Sequence, residues 1–183
     1  MEFLDSLKAL VPDYAKDIRL NLDATIARSS LPRREAVGAA LAAAFAAKSG
    51  TIVDAIRGSD AIAPADAQAA LAAAALMGMN NVWYPYVEMA GDAELKTLRA
   101  ELRMNAYASH GGVDQRAFEL FALAASIVGK CEFCIASHYR LLKDAGVTTQ
   151  ELRDVGRIAA AVNAAAQVLA IEGAHPATLR AAA

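Results

Sequence analysis

Apolar residues recur every three to four positions through most of the chain, and no stretch alternates apolar and polar residues over a useful length. That spacing predicts helices separated by glycine and proline punctuation. Leu4–Leu10 reads as a first short helix, stopped by Pro12. Tyr14–Arg28 follows, with Tyr14, Ile18 and Leu22 on one face. Ser30 is placed to cap the next helix, with Pro32 in its first turn and the alanines carrying it to Lys48. Gly50 and Gly58 bracket a shorter apolar helix. Pro64 opens a long one over Ala65–Met79, able to continue through Asn80, Asn81, Val82, Trp83 and Tyr84 to Pro85. A helix after Gly91 ends near Ser109, and Gly111-Gly112 is a clear break. Asp114 is a good N-cap for the next helix, with Val113 placed to staple onto Phe118. That helix stops around Gly129. Cys131–Ala145 forms another, ended by Gly146, and Thr148 or Thr149 caps a last helix reaching about Glu172, before Gly173 and Pro176. The expected fold class is all-α.

Composition sharpens this picture. Hydrophobic residues make up 56% of the 183 but aromatics only 6%, so alanine supplies much of the apolar content. Small side chains of high helix propensity favour many close-packed helices over a sheet. A chain of this length buries roughly 70% of its unfolded surface, enough for a substantial core. The net charge of -2 and a pI near 5.9 give no electrostatic reason to expect nucleic acid or an anionic membrane as partner. The longest apolar run, near Ala36–Ala47, falls far short of the roughly 18 residues needed to span a bilayer. Met1-Glu2-Phe3-Leu4-Asp5 does not resemble the start of a signal peptide. A cytoplasmic location is therefore expected, which makes a static structural disulfide improbable and directs interest to the two cysteines.

A weak echo links Pro32–Tyr84 to Asp114–Val168: a long helix, a break containing Gly and Lys, a short helix and a capped long helix. Glu35 falls where Glu119 does, but the first half has neither cysteine nor a matching histidine. The reading is one domain over 1–183, with a half at 1–110 lacking redox residues and a half at 111–183 carrying the chemistry.

That chemistry lies between Glu119 and His138. On a helix Cys131, Cys134 and His138 fall within an arc of about 60°. An i, i+3 pair puts the α-carbons roughly 5 Å apart, inside the window for a disulfide. Because Gly129 ends the preceding helix, Cys131 sits at the next N-terminus, where free N–H groups and the helix dipole stabilise a thiolate. In an antiparallel hairpin turning at Gly129-Lys130, Glu119 and His138 stand about 15 and 12 Å up their arms, nearly level. A carboxylate orienting an imidazole that deprotonates a thiol is ordinary acid–base support for a cysteine nucleophile. Plainer readings stay open on spacing alone. The CxxC and a histidine could be half of a zinc site, although His110 and His175 have no ligand spacing to it. The cysteines could be buried and inert, Glu119 a solvated helix residue and His138 a core histidine. Asn80–Tyr84 could line a pocket or simply end a helix; Met77, Met79 and Met89 read as core or oligomer packing.

Three stretches carry a family resemblance: Glu119-x11-Cys131-x-x-Cys134-x3-His138, the run Val11-Pro12-Asp13-Tyr14-Ala15-Lys16-Asp17-Ile18-Arg19-Leu20-Asn21-Leu22, and Met79-Asn80-Asn81-Val82-Trp83-Tyr84. Together they resemble the alkyl hydroperoxidase D (AhpD) family over nearly the whole chain. The resemblance implies an internally duplicated all-helical subunit that assembles as a homotrimer. It implies weak direct reduction of alkyl hydroperoxides and reduction of the oxidised peroxiredoxin AhpC. No cofactor would be tightly bound; electrons would come from dihydrolipoamide on a lipoylated dihydrolipoamide acyltransferase. Residue by residue, Cys134 would form the sulfenic acid or mixed disulfide, and Cys131 would be proton donor and resolving thiol, closing the Cys131–Cys134 disulfide. Glu119 and His138 would be the proton relay. Some family members carry a second histidine between the cysteines, where this chain has Phe133.

Overall fold

The computed structural model describes residues 1–174, and among these it contains nine α-helices and no strand. His175 and Pro176 lie outside the described residues. The helices are α1 (Glu2–Leu10), α2 (Lys16–Leu22), α3 (Arg33–Ala46), α4 (Gly50–Arg57), α5 (Pro64–Ala90), α6 (Asn105–Ser109), α7 (Gln115–Gly129), α8 (Glu132–Asp144) and α9 (Thr149–Ala174). The fold is all-α, the class that the apolar periodicity and the alanine content predict.

Helices α3, α5 and α7 pack on one another at the centre, and α9 covers α3 and α7. Ala39, Ala40 and Ala43 on α3, Ala70 and Ala73 on α5, and Ala122 and Ala125 on α7 are completely buried. Methyl-sized side chains let these helices approach closely, and the few large ones fill what remains. The Phe121 ring lies against Gly38 so tightly that any β-carbon there would overlap it. Helix α9 is long and apolar enough over 149–173, by length and composition alone, to cross a membrane. Half of that stretch is buried inside the protein, on α2, α3 and α7.

Polar links tie the layers together. The Arg116 guanidinium on α7 grips Glu35 of α3 through Nε and Nη2 at 2.9 and 3.0 Å, and reaches Glu151 of α9 at 2.6 Å. Glu151 also accepts from the Thr148 hydroxyl and N–H while Thr148 Oγ1 accepts from the Glu151 N–H, a reciprocal cap on α9. The Thr148 hydrogen bonds, with Arg116 behind them, hold the Glu151 carboxyl down to a pKa of about 2. Asp154 on α9 accepts from Ser30 N–H and Oγ, both at 2.8 Å.

Four local expectations are corrected. Ser30 does not cap α3; its side chain is engaged by Asp154, and Pro32 holds the N-cap position. Tyr14–Arg28 is not one continuous α-helix but a 3-10 turn (Asp13–Ala15), α2 and a π turn (Asp23–Ala27). Leu22 is buried, whereas Tyr14 stands out in solvent with its hydroxyl on Glu172. Helix α5 runs through Pro85 to Ala90. Proline removes one N–H, and the ring contacts Trp83–Tyr86 and Tyr84–Phe133 hold the segment it weakens. The helix expected after Gly91 is mostly absent: Asp92 Oδ1 caps a single 3-10 turn (Leu95–Thr97), and only α6 is α-helical. Leu95, Leu98 and Leu102 would share one face of such a helix, but Leu98 is 60% exposed and Leu102 36%, so the fold buries too little of that face to hold a helix in place.

The break at Gly111 and Gly112 has a steric reason. Gly111 has φ +61°, and a β-carbon there would stand 2.9 Å from Ala69 Cα on α5.

Candidate active site

Asp114 opens α7, its carboxylate accepting the Ala117 N–H at 2.9 Å, and Val113 packs beside it on the core. The helix closes at Gly129, beside which Asn81 of α5 packs so closely that a β-carbon would collide with its amide. Asn81 Nδ2 donates to the Ala125 carbonyl at 3.3 Å, pinning α5 to α7 at the mouth of the turn. Lys130, at φ +56°, reverses the chain, and Cys131 becomes the N-cap of α8.

Cys131 and Cys134 are disulfide-bonded, with α-carbons 5.3 Å apart. The Cys131 sulfur accepts the Cys134 N–H at 3.2 Å, in the place a serine or aspartate oxygen takes at other helix starts. Further up the hairpin, His138 Nδ1 lies 2.6 Å from Glu119 Oε2. Both side chains are buried, Glu119 to 2% exposure and His138 to 4%. So close an approach between a ring nitrogen and a carboxyl oxygen requires a proton between them.

Two further residues complete the surroundings of His138. The Tyr107 hydroxyl on α6 is 3.1 Å from Nδ1, and Met77 Sδ on α5 is 3.2 Å from Nε2. Burial, then the charge and hydrogen bonding of Glu119, push the Tyr107 phenol well above the usual tyrosine range, so it stays protonated.

A cavity of about 350 Å³ opens beside the disulfide. Cys134, His138 and Tyr107 line it with Asn80, Tyr84, Met104, Phe133, Ser137 and Leu141, so its wall is mainly apolar. Cys131 does not line this cavity and is wholly buried. Phe133 stacks on Tyr84 with ring centres 4.3 Å apart. A smaller cavity of about 170 Å³ is lined by Gln115, Arg116, Glu119, Leu141, Leu142 and Ala145.

The structure thus gathers Glu119, Cys131, Cys134 and His138 into one site, and Asn80 and Tyr84 are on its wall. Met77 is buried at the site, Met79 is half-buried, and Met89 is 80% exposed. His110 stands apart, its ring packed on Phe118. Glu35, opposite Glu119 in the internal echo, is occupied by Arg116. Among the described residues no group of three or more His, Cys, Asp or Glu side chains could hold a metal ion. Sequence reasoning missed Tyr107 and missed the pairing of Met77 with His138. Both come from other elements, and no local pattern marks either.

The chain as a whole is similar to known proteins. Residues 93–174 match the carboxymuconolactone decarboxylase family. The alkyl hydroperoxide reductase AhpD of Rhodospirillum centenum is 44% identical over 93% of this chain and 92% of its own length. The AhpD of Streptomyces avermitilis is 42% identical over 92% of this chain and 96% of its own. That of Maricaulis maris is 42% identical over 92% and 98%. With such identity carried across almost the full length of both partners, the chain belongs to the AhpD branch of the carboxymuconolactone decarboxylase family.

Proposed function

We propose that this protein is a thiol-dependent alkyl hydroperoxide reductase working through its Cys131–Cys134 pair. The observation that carries the reading is a disulfide with one sulfur on an apolar cavity and a carboxylate–imidazole pair behind it. Its relatives bear the name alkyl hydroperoxide reductase, and the cavity's apolar wall suits an alkyl substituent.

The two cysteines divide the work. Cys134 borders the cavity and is the sulfur that an incoming thiolate attacks. Cys131 then leaves, and the Cys134 N–H at the start of α8 stabilises the charge it acquires. Cys131, which accepts that N–H, is thus the better-supported leaving group, while Cys134 on the cavity wall does the bonding. A second thiol of the donor releases Cys134, leaving the protein as a dithiol and the donor as a disulfide. In the oxidative half, the Cys134 thiolate attacks the hydroperoxide, breaking O–O and forming the sulfenic acid and an alcohol. Cys131 attacks that sulfur, expels water and restores the disulfide. Glu119 and His138 hold and return the protons exchanged. Phe133 contributes no acid or base, so the relay runs on these two residues and their neighbours.

The finer reading follows the family. Dihydrolipoamide on a lipoylated acyltransferase is the electron donor, oxidised AhpC is a second acceptor, and three subunits assemble in the cytoplasm. Exposed Val82, Tyr86 and Met89 near the end of α5 supply apolar surface for such contacts.

The test follows NADH consumption by dihydrolipoamide dehydrogenase and a lipoylated acyltransferase, with an alkyl hydroperoxide as acceptor. Wild type should turn over; Cys134→Ser and Cys131→Ser should not, and His138→Phe should be slowed on the order of a hundredfold. Equal rates in all four proteins, or a single stoichiometric oxidation without turnover, would overturn the proposal.

A further inference from the structure

We infer that the Tyr107 hydroxyl carries the proton from the buried Glu119–His138 pair to the peroxide oxygen that departs when Cys134 is oxidised. The inference rests on the peroxidase reading above.

The geometry around the imidazole leads to it. A thioether has no hydrogen to give, so His138 Nε2, 3.2 Å from Met77 Sδ, is the ring nitrogen that keeps a proton. Nδ1 is then the nitrogen whose proton comes and goes. It has two partners, Glu119 Oε2 at 2.6 Å and the Tyr107 hydroxyl at 3.1 Å. Glu119 faces the smaller cavity, beside Gln115 and Arg116, and not the one on which Cys134 opens. His138 lines the Cys134 cavity, but protein groups occupy both of its nitrogens. Tyr107 lines that cavity too, and its hydroxyl is the member of the chain placed to pass a proton into it. Glu119, His138 and Tyr107 thus form a relay reaching from one cavity to the other.

The step balances without any added reactant. The Cys134 thiol ionises, and the Glu119–His138 pair holds its proton. The thiolate attacks the distal oxygen of the hydroperoxide; the S–O bond forms, O–O breaks, and an alkoxide leaves with the bonding electrons. Tyr107 gives its proton to the alkoxide and takes one from His138 Nδ1. The products are the alcohol and the Cys134 sulfenic acid, with Tyr107 again a phenol. Burial and Glu119 keep the phenol protonated until a base as strong as an alkoxide forms beside it.

Tyr107→Phe removes the hydroxyl and keeps the ring, including its edge-on contact with Phe118 at 5.5 Å. The test is a single turnover: reduced protein is mixed with oxidant, and the remaining thiols are trapped over time. With tert-butyl hydroperoxide, which expels an alkoxide, Tyr107→Phe should react slower than wild type on the order of a hundredfold. With peracetic acid, which expels a carboxylate that needs no proton, the two proteins should react alike. Equal slowing with both oxidants, or no slowing with the alkyl hydroperoxide, would overturn the role of Tyr107 while leaving the peroxidase reading intact. Wild-type protein inert to both oxidants would sink that reading and this one with it. Nitrogen-15 NMR of the histidine ring tests the tautomer without reference to activity. Neutral His138 should carry its proton on Nε2 in wild type, and Met77→Leu should give a mixture; a bare Nε2 in wild type would overturn the assignment.

Discussion

Arg116 holds two carboxylates at once, and one of them, Glu35, is buried. Its guanidinium is raised above the usual arginine range, first by Glu35 and then by Glu151, and it neutralises both where α3, α7 and α9 meet. Arg116→Met should lower stability by about 3 kcal/mol, because Glu35 would stay buried without a counter-ion. In a chain of this size that is a fall in Tm on the order of 10 °C, read by calorimetry. Gly129→Ala should cost about 1–3 kcal/mol in urea unfolding, since the new methyl must push Asn81 off the Ala125 carbonyl. The Cys131, Cys134, His138 and Glu119 cluster was legible beforehand because one hairpin holds all four and helix geometry fixes their heights. Tyr107 and Met77 were not. They lie 31 and 61 residues from His138 in sequence, and only the packing of α5 and α6 on the hairpin brings them in.

Among the elements, those bounded by chemistry were the easiest to read. Asp114, Gly129, Gly146 and Thr148 each mark a helix end in the structure, because each satisfies or reverses the backbone locally. Where tertiary contacts decide, local signals mislead: aromatic packing carries α5 past Pro85, and between Gly91 and Met104, where Leu98 and Leu102 stay exposed, only a single capped 3-10 turn forms. The linker between α5 and α6 should therefore be the first place to open. Limited digestion with trypsin, followed by mass spectrometry, should cut first at Lys96, Arg99 or Arg103, all exposed there, and leave 115–174 intact longest. We read α3–α4–α5 and α7–α8–α9 as two copies of one unit. In this reading Glu35 has a structural duty where Glu119 has a chemical one.

For the whole molecule, acid is the informative stress. Glu151 and Asp154 both titrate near 2 in the folded protein; burial alone would raise Asp154, but Ser30, Arg157 and Arg153 outweigh it. Both carboxyls are depressed, so the stability they add is complete above about pH 4.5 and is lost as pH falls toward 2. Asp154→Asn should flatten that acid limb and remove about 2 kcal/mol at neutral pH, measured as Tm against pH. Redox state is a different matter. The disulfide joins residues only three apart in sequence, within one turn of α8, so closing it removes little freedom from the unfolded chain. The oxidised and reduced proteins should melt within a few degrees of each other in parallel scans. Such a bond is poorly suited to riveting a fold and well suited to being spent and remade: the scaffold stays indifferent to whether it is charged.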